Sequence, residues 1–194
     1  MNRRGRVAGA LAFALAGYAL YWVAGIVDPQ IYRVSFLLIA LVLTFVVHPM
    51  GGLAGRLADA GVIAGSLVAL AWPIVDFESF VLRAATPTTV DVVLGVVTIA
   101  LVLVATRRTN GRILPITAFA FLAYAYLGPL LDRLGLTLIA HRGYSTGRVV
   151  GTLYMTLEGI FGVPLDVAAT YIVLFTIYGA LLEHSGAGRF FIDW

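Results

Sequence analysis

The stretch VDVVLGVVTIALVLVATRR, residues 90–108, decides how the chain is read. Asp91 is the single charge in Val90–Thr106, and Arg107-Arg108 stop the run. A run of about 20 mostly apolar residues matches the hydrocarbon thickness of a bilayer. Lipid offers no partners to backbone N–H and C=O groups, so such a run crosses as a helix. Five further stretches follow the same pattern. Val7–Val27 is preceded by Arg3, Arg4 and Arg6. Val34–Val47 is extended by Ile31 and Tyr32 and closed by His48-Pro49, with Arg33 free to snorkel at its edge. Ala60–Val75 has Pro73 in its last turn. Leu114–Leu131 has Pro115 in its first turn, where a missing N–H costs little. Gly159–Leu182 is the sixth.

Composition agrees. The chain has 194 residues, is 61% hydrophobic and only 12% charged, with mean hydropathy +0.97. These values belong to integral membrane proteins. Cysteine is absent, which removes disulfides, zinc–cysteine sites and thiol nucleophiles. Lysine is absent too, which removes Walker-type phosphate binding and Schiff-base chemistry. All basic residues are arginines at the edges of the apolar runs, so the net charge of +3 carries no nucleic-acid meaning. The first run is too long for a signal-peptide core and reads as a retained span.

The arginines set an orientation. With the N-terminus in the cytoplasm, the inner side carries Arg3, Arg4, Arg6, Arg56, Arg107, Arg108, Arg112 and Arg189. The outer side carries Arg33, Arg83, Arg133, Arg142 and Arg148. Eight against five, with both strong clusters inside, argues for both termini in the cytoplasm. One outer loop is long, Asp132 to Glu158, and a loop of that length usually carries structure of its own. Within it Val150, Leu153, Tyr154 and Leu157 fall on one helical face, and Ser145 or Thr146 can cap that helix. The expected fold is therefore an all-α integral membrane protein: six transmembrane helices, N-in and C-in, plus a short interfacial amphipathic helix lying on the bilayer. A surface loop with chance periodicity is the alternative for so short a window.

Little in the sequence reads as catalysis. His48, His141 and His184 sit at membrane edges, no two at ligand spacing, so no metal site is expected. Ser66 lies in a span with no histidine in any span to activate it, and no Gly-x-Ser-x-Gly elbow exists. Asp91 and Asp166 lie near outer span ends, within about two turns of the interface. Both read as structural, Asp166 by the smaller margin. Glu158 before Gly159 suits the positive end of a helix dipole, and capping accounts for it. The glycine spacings at Gly61–Gly65 and Gly143–Gly151 permit close helix approach, though 21 glycines make such matches common. No enzyme activity is expected, and no cofactor.

The last third carries a resemblance. Glu158-Gly159-Ile160-Phe161-Gly162-Val163-Pro164-Leu165, Phe175, Gly179-Ala180-Leu181-Leu182-Glu183, and Ser185-Gly186-Ala187-Gly188 with Phe190-Phe191-Ile192-Asp193 look like the junction region of fused permeases of TRAP transporters, the tripartite ATP-independent periplasmic class. Tyr124–Pro129, YAYLGP, and His141–Ser145, HRGYS, also look like segments of that family. The match is closest to the type in which a four-helix small domain is fused to a roughly twelve-helix large one. The resemblance implies a small-permease-like domain at 1–112, a linking transmembrane helix at 113–135 and the start of a large permease domain at 136–194. It marks Glu158, Gly159, Phe161, Gly162, Pro164, Gly179, Glu183, Gly186 and Gly188 as family-motif residues. It implies a part of a sodium-driven symporter for organic-acid solutes in the inner membrane of a prokaryote. Its partners would be a TAXI-type periplasmic solute-binding protein, the rest of the large permease domain and membrane lipids. In that family the sodium and substrate sites come later in the large domain, so sodium is expected only for the complete permease. This portion alone is expected neither to transport nor to bind sodium at a defined site. A non-transporting scaffold or regulatory remnant of such a permease is the alternative. Gly186 and Gly188 are expected to close the last helix, with the residues after Gly188 at the cytoplasmic interface.

Overall fold

The computed structural model describes residues 3–186 and holds six helices long and apolar enough to cross a membrane. They are α1 (Arg3–Ala24), α2 (Pro29–Val47), α3 (Gly52–Val75), α5 (Thr89–Asn110), α6 (Ile113–Arg133) and α8 (Val163–Ser185). Two short helices stand between them, α4 (Phe77–Leu82) and α7 (Thr146–Val150). α7 runs on into a wider π turn at Gly151–Met155, and α8 contains a second one at Ala168–Ile172. The described residues hold no strand. The chain is an all-α multi-pass membrane protein.

Local chemistry fixes the helix ends. Asp28 caps α2 by accepting the N–H groups of Gln30 and Ile31, and Pro29 supplies a first-turn residue that needs no partner. Thr88 and Asp91 make a reciprocal capping box at the start of α5. Gly111, at φ +82°, reverses the chain between α5 and α6. Gly186, at φ +74°, ends α8 in the left-handed conformation expected of it, its N–H donating to the Glu183 carbonyl. Gly188 and the segment 189–194, for which an interfacial position is expected, lie outside the described residues.

Several boundaries differ from the sequence reading: α1 ends at Ala24 rather than Val27, and α5 runs through Arg107-Arg108 to Asn110. Three differences bear on the packing. α3 begins at Gly52 rather than Ala60, because Asp59 is neutralised inside the fold. It accepts from the Arg108 guanidinium at 2.7 Å and the Met50 N–H at 3.0 Å. α8 begins at Val163 rather than Gly159, because Gly159–Gly162 forms a tight turn and Pro164 suits the first turn of a helix, where its missing N–H costs little. Glu158 therefore stands exposed ahead of the helix and does not cap it. α4 is the third difference, a single turn and a half that drops Phe80 into the core.

α2, α3 and α5 form the centre, with α1 and α8 on the side of α2 and α6 on the side of α5. The main core gathers Leu41, Phe45, Leu70 and Leu101 from the central helices with Phe80, Val150, Tyr154 and Phe161 from the connections. A second cluster joins α1, α2 and α8, where Trp22 stacks on Tyr32 at 4.2 Å. α1, α6 and α8 expose apolar faces, including Phe13, Phe119 and Phe175. In water such faces would drive aggregation, and in lipid they meet a solvent of their own kind.

The two ends of the bundle are charged. One end carries Arg108 with Asp59; the other carries Arg83 with Asp76 and Asp91, and Arg33 with Asp166. In the arginine reading the second end faces outward. The chain has no native cysteine, so single cysteines report its orientation directly. An impermeant maleimide added to intact cells should label Arg142→Cys and should label Asn110→Cys only after permeabilisation. The reverse pattern would invert the topology.

Candidate functional site: an outer loop seated on two proline-interrupted helices

A proline inside a helix removes the N–H that would meet the carbonyl four residues earlier. In α3, Pro73 leaves the carbonyl of Ala69 without its donor, and in α6, Pro129 does the same to Ala125. In a membrane an unmet carbonyl costs several kcal/mol. One loop supplies both replacements. The Tyr154 hydroxyl donates to the Ala69 carbonyl, and the Tyr144 N–H donates to the Ala125 carbonyl at 3.0 Å. Tyr154 is fully buried, with Phe80 edge-on to its ring at 5.3 Å. Burial pushes its hydroxyl well above the ordinary tyrosine value, so it remains a donor throughout the physiological range.

Small residues let the loop come close. A side chain at Gly95 of α5 would overlap Val150 and Tyr154, and one at Gly128 of α6 would overlap the His141 carbonyl. His141 lies edge-on to Tyr124 and against Tyr144, and its Nδ1 accepts the Gly143 N–H at 3.0 Å. Tyr124 donates from its hydroxyl to the Ile139 carbonyl at 2.6 Å. The segments YAYLGP and HRGYS, separated by eleven residues in sequence, thus fold back onto each other.

The helix expected near residues 145–158 is present, capped by Ser145 through its side-chain oxygen. Of its expected face, Val150 and Tyr154 are buried, Leu153 is half-buried and Leu157 is exposed. Val149 and Met155 are buried as well, because the π turn rotates the face as it seats against α5. The helix therefore packs into the outer end of the bundle, beside Ala84 and Pro87.

The first turn of α2 holds the other end of the loop. Gln30 donates to the Met155 carbonyl at 3.1 Å, and Arg33 donates to the Phe161 carbonyl at 2.9 Å. Arg33 also pairs with Asp166 at 3.0 Å, and Tyr32 donates to the Ala169 carbonyl, within the widened turn of α8, at 2.6 Å. Asp166, half-buried, is thus an anchor for Arg33.

Asp91 is buried and fully engaged. Its Oδ1 accepts from the Trp72 indole at 2.9 Å and from Arg83 at 3.2 Å. Its Oδ2 accepts from Arg83 at 2.8 Å and from the Thr88 N–H and hydroxyl at 3.0 and 2.6 Å. Arg83 reaches Asp76 as well, at 2.6 Å, and that hydrogen bond holds the Asp76 carboxyl below its ordinary value. One guanidinium therefore ties α4 to the ends of α3 and α5, and Trp72 adds a second tie between those helices.

The residues marked by the resemblance scatter over this frame. Phe161 is buried in the core, Gly159 and Gly162 shape the turn before α8, and Pro164 lies in its first turn. Glu158 is exposed; Gly179 has open space around it, and Glu183 and Gly186 end α8. Among the described residues no three His, Asp or Glu side chains gather as a metal would require. His48 and His184 each sit over a backbone carbonyl of their own helix end. Gly61 faces open space, and a side chain at Gly65 would meet Leu101 and Val97 of α5 only at ordinary contact distance, so neither glycine of GVIAG is required by a close helix approach. No protein-family model, curated protein or solved structure matches this chain.

Tyr154→Phe removes one hydroxyl and leaves the Ala69 carbonyl unmet, which should destabilise the protein by about 1–3 kcal/mol in detergent unfolding. In a Pro73→Ala background, where the backbone N–H is restored, the same change should cost less than about 0.5 kcal/mol. Equal costs in both backgrounds would refute the pairing. Arg83→Gln strands a buried carboxylate and should cost about 3 kcal/mol. Arg142→Gln, at an exposed arginine, should change stability by no more than about 0.5 kcal/mol.

Proposed function

We propose that the chain is the membrane scaffold part of a sodium-driven secondary transporter of the TRAP type. In this reading it comprises a small-permease-like domain, a linking helix and the start of a large permease domain. It works on organic-acid solutes with a TAXI-type periplasmic binding protein, in the inner membrane of a prokaryote. The observation that carries the reading is the meeting of the two family-like segments, Tyr124–Pro129 on the linking helix and His141–Ser145 on the loop. The family-like run Glu158–Leu165 then forms the turn, anchored by the buried Phe161, that leads from the loop into α8. A seated outer loop of this kind suits a rigid platform, against which a mobile transport domain works and onto which a soluble binding protein docks.

A non-transporting scaffold or regulatory role is the second reading. What favours it is that Asp59, Asp91 and Asp166 are each paired with an arginine, which suits structure rather than ion traffic.

Deleting the gene in its native host separates the two. Transport predicts loss of sodium-dependent uptake of at least one labelled carboxylate solute by intact cells, restored by the wild-type copy. Uptake unchanged across a panel of mono- and dicarboxylates, with and without sodium, would remove the transport reading.

A further inference from the structure

The crevice between α5 and α6 carries an inference independent of the transport reading. Two of its compartments share Leu103. The lower one, of about 540 Å³, lies between Leu103 and Val104 of α5 and Pro115, Ile116 and Phe119 of α6. Arg107 and Arg112 stand at its mouth. The upper one, of about 630 Å³, continues toward the outer end between Ile99 and Val102 and Phe121 and Leu122. Its single charged residue is Arg148, at the far end, with its guanidinium 5.3 Å over the Tyr144 ring.

Charge at the lower mouth is uncompensated. The nearby carboxylate of Asp59 is taken by Arg108 at 2.7 Å, with the Met50 N–H on its second oxygen. Arg107 and Arg112 are exposed, and among the described residues neither guanidinium has an ion-pair or hydrogen-bond partner. Two free guanidiniums thus stand at the membrane edge, above an apolar slot that runs toward the bilayer centre. We infer that this crevice binds a phospholipid of net negative charge, its phosphate between Arg107 and Arg112 and one acyl chain along Leu103, Phe119 and Leu122. Guanidinium is matched to phosphate in geometry as well as in charge. The apolar walls require a chain, which a free phosphate lacks. A zwitterionic headgroup would bring its own cation beside two others. Both arginines belong to the inner cluster of the topology, the side where basic clusters meet anionic headgroups.

The purified full chain in mild detergent, titrated with phosphatidylglycerol and read by native mass spectrometry and by its thermal unfolding midpoint, tests this. Saturable retention of phosphatidylglycerol, and far weaker retention of phosphatidylcholine, is expected. R107Q and R112Q should each weaken it roughly fivefold and the double variant roughly thirtyfold. R107K/R112K should retain most of the affinity, because it keeps the charge. A118W, which fills the tail compartment without touching the charge, should weaken binding, and R56Q should leave it unchanged. Equal retention of phosphatidylcholine, or full affinity in a helical and monodisperse R107Q/R112Q, would overturn the proposal. Glycerol 3-phosphate competing at the same concentration as phosphatidylglycerol would also overturn it, because that outcome marks a plain anion site.

Discussion

Two backbone carbonyls, those of Ala69 and Ala125, organise the outer half of this protein. Prolines four residues on deprive each of its helical donor. In water the loss would be made good by solvent, but among packed helices in lipid it needs a protein group. Both donors come from the loop between α6 and α8. The loop is therefore as much a part of the core as the spans are. Tyr154, Val150, Met155 and Phe161 are as buried as any residue of α2 or α3. Its small neighbours Gly95 and Gly128 make sense as the places where it must come close.

The exclusive use of arginine fits the same economy of partners. Arg33 serves a carboxylate and a carbonyl, Arg83 serves two carboxylates, and Arg108 serves a carboxylate and the His48 carbonyl while lying 4.9 Å from the Phe45 ring. A planar fork with five donors can divide itself in this way, whereas an ammonium is a point charge. Each of these arginines bridges segments that no continuous helix joins. The charged ends therefore fix helix order as well as membrane depth.

Much of the fold was legible in the sequence. Run length and arginine placement located all six spans, because hydropathy in a membrane is read over a whole helix and tolerates local error. Boundaries were less legible. Asp59 looks like a residue to be kept outside a span, and only the distant Arg108 explains why α3 runs through it. Glu158 looks like a cap, and only the fold of Gly159–Gly162 shows that the helix begins later. The platform itself was half legible. The helical face of Val150 and Tyr154 was visible, and so were Pro73 and Pro129. The link between them was not, because it joins a hydroxyl to a carbonyl 85 residues away. One rule would have narrowed the search: within a span, a proline announces an open carbonyl four residues back, and some donor elsewhere in the chain must answer it.

The tie between α3 and Tyr154 has a consequence for how the protein is made. At elongation rates of about 5–20 residues per second, the ribosome reaches Tyr154 roughly 4–17 seconds after Ala69. During that interval α3 has emerged and its open carbonyl has no tyrosine to meet. Water, or a local loosening of the helix around Pro73, has to serve in the meantime. The hairpin of α3 and α5 is thus provisional at birth. It is locked only when the loop synthesised after α6 folds back over both, so this contact of the outer half closes against helices made well before the loop and not with its neighbours in sequence.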